Sequence, residues 1–202
     1  TMHSRWLTWG TTMVLVVGLG AVRVGADDWE QWRGGDRLGV WHEGGILESF
    51  PDDGLRVSWR TPLRAGYAGP AVSAGRVFVV DWLEDPESRT LDGTERAVAL
   101  DEATGAVLWT HEWHTSYRML MASYAVGPRA TPTVDGDRVY VVGATGRLFC
   151  LDVETDDVIW EKDYVADYGT SVPTWGVASA PLVDGDRLLT VVGGEPDALV
   201  MA

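Results

Sequence analysis

The chain has 202 residues, 46% of them hydrophobic, enough to bury a core as a soluble domain. A balance of 30 acidic against 16 basic residues leaves a formal charge of −14, a field that repels phosphate backbones and anionic lipid and so excludes nucleic acid as a partner. The single cysteine, Cys150, excludes an internal disulfide, and in the alternating run Arg147–Leu151 it reads as a strand residue rather than a nucleophile.

In chain order, residues 1–26 have the pattern of a signal peptide: Arg5 near the start, an apolar stretch from Met13 to Val22, and the small-residue site Val24-Gly25-Ala26. That stretch is shorter than the roughly 20 residues a spanning helix needs, so cleavage is predicted, with no stable membrane insertion afterwards and a periplasmic or extracellular destination. Residues 27–54 form an N-terminal extension, and residues 55–202 carry repeats.

The repeats begin with Leu55–Trp59, which has the character of a blade-closing strand with no partners ahead of it. Three segments then align: Pro70–Arg76, Pro132–Arg138 and Pro181–Arg187, each with a glycine at the same relative position and each followed by an apolar run. Between them Ala99-Leu-Asp101-Glu-Ala-Thr104-Gly105 through Trp109 matches Cys150-Leu-Asp152-Val-Glu-Thr155-Asp156 through Trp160, and Trp59, Trp109 and Trp160 recur at intervals of 50 and 51. Such a period, with short alternating runs and Gly/Asp turns, predicts an all-β chain of four-stranded propeller blades. Strands are expected near 70–74, 76–81, 96–101, 106–110, 130–134, 138–142, 147–152, 157–161, 178–183 and 187–192. Small residues (Gly69, Ala130, Thr131, Ser179, Ala180) stand where first strands would crowd the central channel.

The Ala-x-Asp-x-x-Thr-Gly-x-x-x-Trp pattern resembles the tryptophan-docking motif of pyrroloquinoline-quinone-repeat propellers, in which that tryptophan packs against the neighbouring blade. The resemblance implies a structural docking role for Trp59, Trp109 and Trp160. Trp109 matches the motif fully; Trp160 has Asp156 in place of the glycine and Cys150 in place of the alanine. The opening Trp29-Glu-Gln-Trp32-Arg33-Gly34 is similar to exported members labelled outer-membrane-assembly-like or quinoprotein-like. Residues 55–202 are then a partial propeller of about three blades, an incomplete ring that is expected to belong to a longer protein.

Strand parity places the first-to-second and third-to-fourth turns of every blade on one rim, where they are minimal. The opposite rim is elaborated by Trp82–Glu95, Thr110–Arg129 and Glu161–Trp175, and function is expected there. Tyr124, Arg129, Tyr168 and Trp175 are the candidate ligand-binding residues, able to supply stacking surfaces and one cationic fork, against an alternative role in packing the loops. His111-Glu112-Trp113-His114 lacks helical zinc-site spacing and reads as a solvated loop, and the Asp-Gly-Asp triplets coincide with repeat turns, so no metal site is assigned.

Two functions compete. The first is an exported, non-catalytic propeller that binds a protein, peptide or glycan through its elaborated rim, with no cofactor evident. The alternative is a pyrroloquinoline-quinone-dependent alcohol or sugar dehydrogenase, which the resemblance would equip with that quinone and calcium. No catalytic residue is assigned under either.

Overall fold

The computed structural model describes residues 27–45, 47–121 and 126–202. The predicted signal peptide and Tyr124 lie outside the described residues.

Turn chemistry sets the strand boundaries. The first blade comprises β1 (Ala71–Ser73), β2 (Arg76–Glu84), β3 (Asp92–Asp101) and β4 (Val107–Ser116), and the second β5 (Thr133–Asp135), β6 (Arg138–Val142), β7 (Arg147–Asp152) and β8 (Val158–Asp163). A five-residue helix, α1 (Tyr164–Tyr168), precedes the third blade, which holds β9 (Leu182–Asp184), β10 (Arg187–Val191) and β11 (Val200–Met201). Neighbours pair antiparallel in sequence order, so each sheet is a meander. The inner hairpins turn on two residues: Ala74-Gly75 with φ of 49° and 77°, and Gly136 and Gly185 with φ of 58° and 62° at the first central position. Those backbone signs match the twist of the flanking strands.

The third-to-fourth turns repeat almost atom for atom. Asp101 accepts from Thr104 N (2.8 Å) and Thr104 Oγ1 (2.6 Å); Asp152 accepts from Thr155 N (3.0 Å) and Thr155 Oγ1 (3.2 Å). These bonds hold both carboxyls below the usual aspartate range, chiefly through Thr104 for Asp101 and the Glu154 amide for Asp152. Asp156 adopts φ 64° where Gly105 has 71°. Aspartate tolerates the left-handed region better than most residues, so the turn survives loss of its glycine.

The middle strands of the first two blades, β2, β3, β6 and β7, are covered on both faces, which is why they read as continuous apolar runs rather than clean alternations. Phe78, Val80, Ala97, Ala99, Trp109 and Trp113 of the first blade pack against Val139, Val141, Phe149 and Leu151 of the second. The opposite face of the second blade, through Val142, Leu148 and Tyr164, packs on Val177 and Val192 of the third. Cys150, fully buried, is one of the strand residues.

Several sequence expectations need correction. The first blade's outer strands overshoot the repeat: β2 runs to Glu84, β3 begins at Asp92 and β4 continues to Ser116, because register persists through Trp82↔Glu95 and Glu95↔Trp113 and buried Trp82, Glu95 and Trp113 fill the extension. His111–His114 therefore lies in β4, not in a loop, with the His111 ring edge-on to Phe149 at 5.0 Å. The starts of the inner strands, 130–132 and 178–181, stay outside the ladders, where Pro132 and Pro181 have no N–H to give. Residues 55–59 join no ladder. Helix α1, within one of the expected loops, is nucleated by Asp163, whose side chain accepts from the Val165 and Ala166 amides, and is ended by Gly169 at φ 65°. Among the described residues no helix is long and apolar enough to cross a membrane.

Candidate binding site at the channel mouth

The inner strands β1, β5 and β9 lie side by side at the channel. The free edges of β1 and β5 are crossed by the N-terminal segment. Trp29 and Val72 exchange backbone hydrogen bonds of 2.7 and 2.9 Å, and the Glu30 carbonyl accepts from Val134 N at 2.8 Å. Asp28 accepts from Ala74 N at 3.0 Å, fixing the end of the segment at the minimal-turn rim. Gly34, at φ 81°, lies so close over the Trp29 ring that a Cβ would sit 3.1 Å from it. That fold-back carries Trp32 and Arg37 toward the elaborated rim.

There the connections converge. Tyr67 N and Ala68 N both donate to the Pro128 carbonyl (2.8 and 3.0 Å), and Met121 N donates to Thr174 O (2.8 Å), tying three connecting segments together. Gly127, at φ 104°, permits the first contact, since a Cβ would lie 2.6 Å from Ala65 O. Arg129 follows directly. Its guanidinium lies 5.4 Å from the Tyr67 ring centroid and 5.9 Å from that of Trp175. Both rings are about half exposed, so the stack faces solvent. Beside it a cavity of about 220 Å3 is lined by Trp32, Arg37, Arg129, Thr131 and residues 178–180. Arg37 lies 5.7 Å from the Trp32 ring centroid.

Arg129 and Trp175, named from the sequence, are thus brought together. Tyr168 is not with them: it ends α1, meets the Tyr164 ring at 6.5 Å, and lines a larger groove of about 460 Å3 between the second and third blades. The sequence reading missed Tyr67, Trp32 and Arg37. The density of tryptophan and arginine in Trp29–Arg37 was the available signal; what it lacked was any register to place that segment across the inner strands.

The repeated tryptophans show how blades meet. Trp59 Nε1 donates to Glu102 O (2.8 Å) and Trp109 Nε1 to Val153 O (3.0 Å), the same position one repeat later. Trp109 is buried, and its ring tilts against Phe78 at 5.9 Å. Trp59 lies over Gly105, where a Cβ would come within 2.4 Å of the indole. Trp160 lines the larger groove and packs 6.0 Å from Tyr140; among the described residues no carbonyl accepts its indole N–H.

Among the described residues two carboxylates are buried, and both are committed. Asp81 takes Arg96 bidentately (2.7 and 2.9 Å) and the Arg64 amide (2.7 Å). Glu95 accepts from Trp113 Nε1 (2.7 Å), Ala144 N (2.8 Å) and the Tyr117 hydroxyl, bridging the first two blades; Tyr117 in turn stacks on Trp82 at 4.5 Å. Burial pushes the Glu95 carboxyl above its ordinary range, against the pull of these donors, and burial also raises the Tyr117 phenol.

A family profile described as outer membrane protein assembly factor BamB matches residues 34–115 and 93–200. No curated protein matches. Solved structures similar to the chain include a europium-containing methanol dehydrogenase (17% identity, TM-score 0.44, covering 63% of this chain and 20% of that one). A quinohemoprotein alcohol dehydrogenase from Comamonas testosteroni is similar at 20% identity and TM-score 0.41, over 63% of this chain and 17% of that one. BamB from Moraxella catarrhalis is similar at 20% identity and TM-score 0.32, over 63% of this chain and 40% of its own. The chain therefore spans less than half the length of each of these structures. With the profile spanning most of its length, the chain belongs to the PQQ-repeat β-propeller family described as outer membrane protein assembly factor BamB.

Proposed function

We propose that the chain is an exported, non-catalytic binding module that takes a polypeptide partner on its elaborated rim. The observation that carries this reading is the Arg129 guanidinium held near the half-exposed rings of both Tyr67 and Trp175, which come from two separate connections. Aromatic and arginine side chains fixed on a rigid scaffold are the residue types that anchor protein interfaces. Exposed Met121, whose amide donates to Thr174 O next to Trp175, extends the apolar surface there. The family's description as a protein assembly factor supports a protein partner over a glycan, and a periplasmic setting.

The described residues do not fit a calcium-held quinone. Among them no three His, Cys, Asp or Glu side chains gather to hold a metal, and the oxygens of Asp81 and Glu95 are taken by protein donors. No oxidation step is derived for them.

Photo-crosslinking tests the reading. Benzoylphenylalanine replacing Tyr67 or Trp175 in the full-length protein, within the cell envelope, is expected to give a discrete adduct that Arg129→Ala weakens. The same group at Asp135, on the opposite rim, is expected to give none. Adducts from position 135 alone would place the partner on the other face.

A further inference from the structure

We propose that His111 and Asp156 form a proton-sensitive joint between the first and second blades, in which Asp156 supplies the counter-charge that limits what the joint loses when the imidazole is protonated. Two departures from the repeat meet there: the histidine of the His111–His114 run, and the aspartate at the glycine position of the second docking motif. His111 Nδ1 lies 3.8 Å from Asp156 Oδ2, with β4 of one blade facing the β7–β8 turn of the next. The preceding junction shows what the repeat does without them. Its equivalent positions are Thr61, two residues after Trp59, and Gly105; Thr61 Oγ1 donates to the Gly105 carbonyl at 2.6 Å, and neither group titrates. A Cβ at Gly105 would lie 2.7 Å from Thr61 Oγ1 as well as against Trp59, so the first junction has no room for a side chain there. At the second junction both positions differ, and a pair of ionisable side chains stands where the first has a hydroxyl and a carbonyl.

The surroundings make a charge on the imidazole costly. Its side chain is 17% exposed, with the ring edge-on to Phe149 at 5.0 Å and tilted against Trp113 at 6.0 Å. Burial holds it below its ordinary 6.5, against the pull of the Asp156 and Glu161 carboxylates. Glu161, on β8, is already paired at 2.6 Å with Arg147 of β7, whose guanidinium lies 5.4 Å from the Phe149 ring centroid. Asp156 is the carboxylate left to His111, and among the described residues no other cation lies within ion-pair distance of it. The stability that this histidine contributes is full above 6.5 and is lost as pH falls through its folded value. A carboxylate at position 156 raises that folded value and so shrinks the loss. Its cost is the left-handed backbone, φ 64°, which glycine would adopt without strain.

Nuclear magnetic resonance of the histidine Cε1–H signals in the full-length protein, titrated between about pH 8 and about pH 5, reads the pair directly. The His111 signal is assigned by its disappearance in His111→Thr. Asp156→Asn is expected to move the His111 midpoint to lower pH, and Glu161→Gln to move it less. An unmoved midpoint in Asp156→Asn overturns the joint; a larger movement with Glu161→Gln gives the counter-charge to Glu161 and overturns it too. Urea midpoints at the two ends of the same pH range give a second readout. On acidification Asp156→Gly is expected to lose more than the parent. The double variant His111→Thr, Asp156→Gly, which rebuilds the first junction's pair at the second, is expected to lose less than Asp156→Gly alone. Equal losses in the parent and Asp156→Gly, or an Asp156→Gly deficit already as large at the alkaline end, would show a role independent of charge and sink the proposal.

Discussion

Replacing Trp109 by alanine tests the blade-docking geometry most directly. The indole is 8% exposed, packs on Phe78 within the cluster shared by the first two blades, and donates to Val153 O across the interface at 3.0 Å. Deleting a buried tryptophan costs about 3–5 kcal/mol where surroundings cannot collapse. Trp109→Phe isolates the polar part: it keeps an aromatic ring and loses the bond to Val153 O, about 0.5–1.5 kcal/mol. Ile159→Ala, at a half-exposed position on β8, is expected to stay within about 0.5 kcal/mol. Urea denaturation followed by far-UV circular dichroism gives all three values, and equal slopes identify the shifts as stability changes. A Trp109→Ala cost below about 1 kcal/mol, or one no larger than that of Trp109→Phe, would refute docking as the interaction joining the blades.

Two other substitutions probe the remaining contacts between segments. Gly105→Ala places a Cβ within 2.4 Å of the Trp59 indole at φ 71°; about 1–2 kcal/mol for the left-handed backbone and 1–3 for overpacking are expected, read as a lowered denaturation midpoint. Glu95 is raised in the folded state relative to its ordinary value of 4.5 by burial. The stability it contributes is therefore full below that value and is lost as pH rises through the folded one. Glu95→Gln should remove that component, leaving a flatter dependence of the urea midpoint on pH above 4.5 than the parent shows. An unchanged slope would show that Glu95 is ionised in the folded protein without penalty.

The fold was legible because its units are local. Pro70, Pro132 and Pro181 mark the same step of each repeat, and the glycine turns that follow fix hairpin register within a few residues. The extension of β2, β3 and β4 was not legible, since it depends on Glu95 finding donors at Trp113, Tyr117 and Ala144, the last 49 residues away. A carboxylate in a run such as Asp92–Arg96 reads as loop polarity until its partners are known. The same holds at the mouth. Arg129 and Trp175 stood out as a charge and a large ring in long connections, but Tyr67 meets Arg129 only because Gly127 lets Pro128 approach the Tyr67 backbone. Tyr168 misled because a rim assignment by parity fixes which end of the blade a connection occupies, not which side of it; capping by Asp163 turned that segment into a helix facing the third blade.

The strap of residues 28–30 has a bearing on the order in which the chain matures. Its pairings with Val72 and Val134 join residues 43 and 104 positions apart, whereas the hairpins close over far shorter spans. Short closures precede long ones, because chain entropy must be spent before a distant contact repays it. Nascent chain emerging from a ribosome or a translocation pore thus presents the strap before β5, yet that strap has no complete berth until β5 has formed. In the interval the inner edge of β1 is an unpaired template for other strands. The strap is made before β5 yet is seated only after it, and seating it covers the inner edges of β1 and β5.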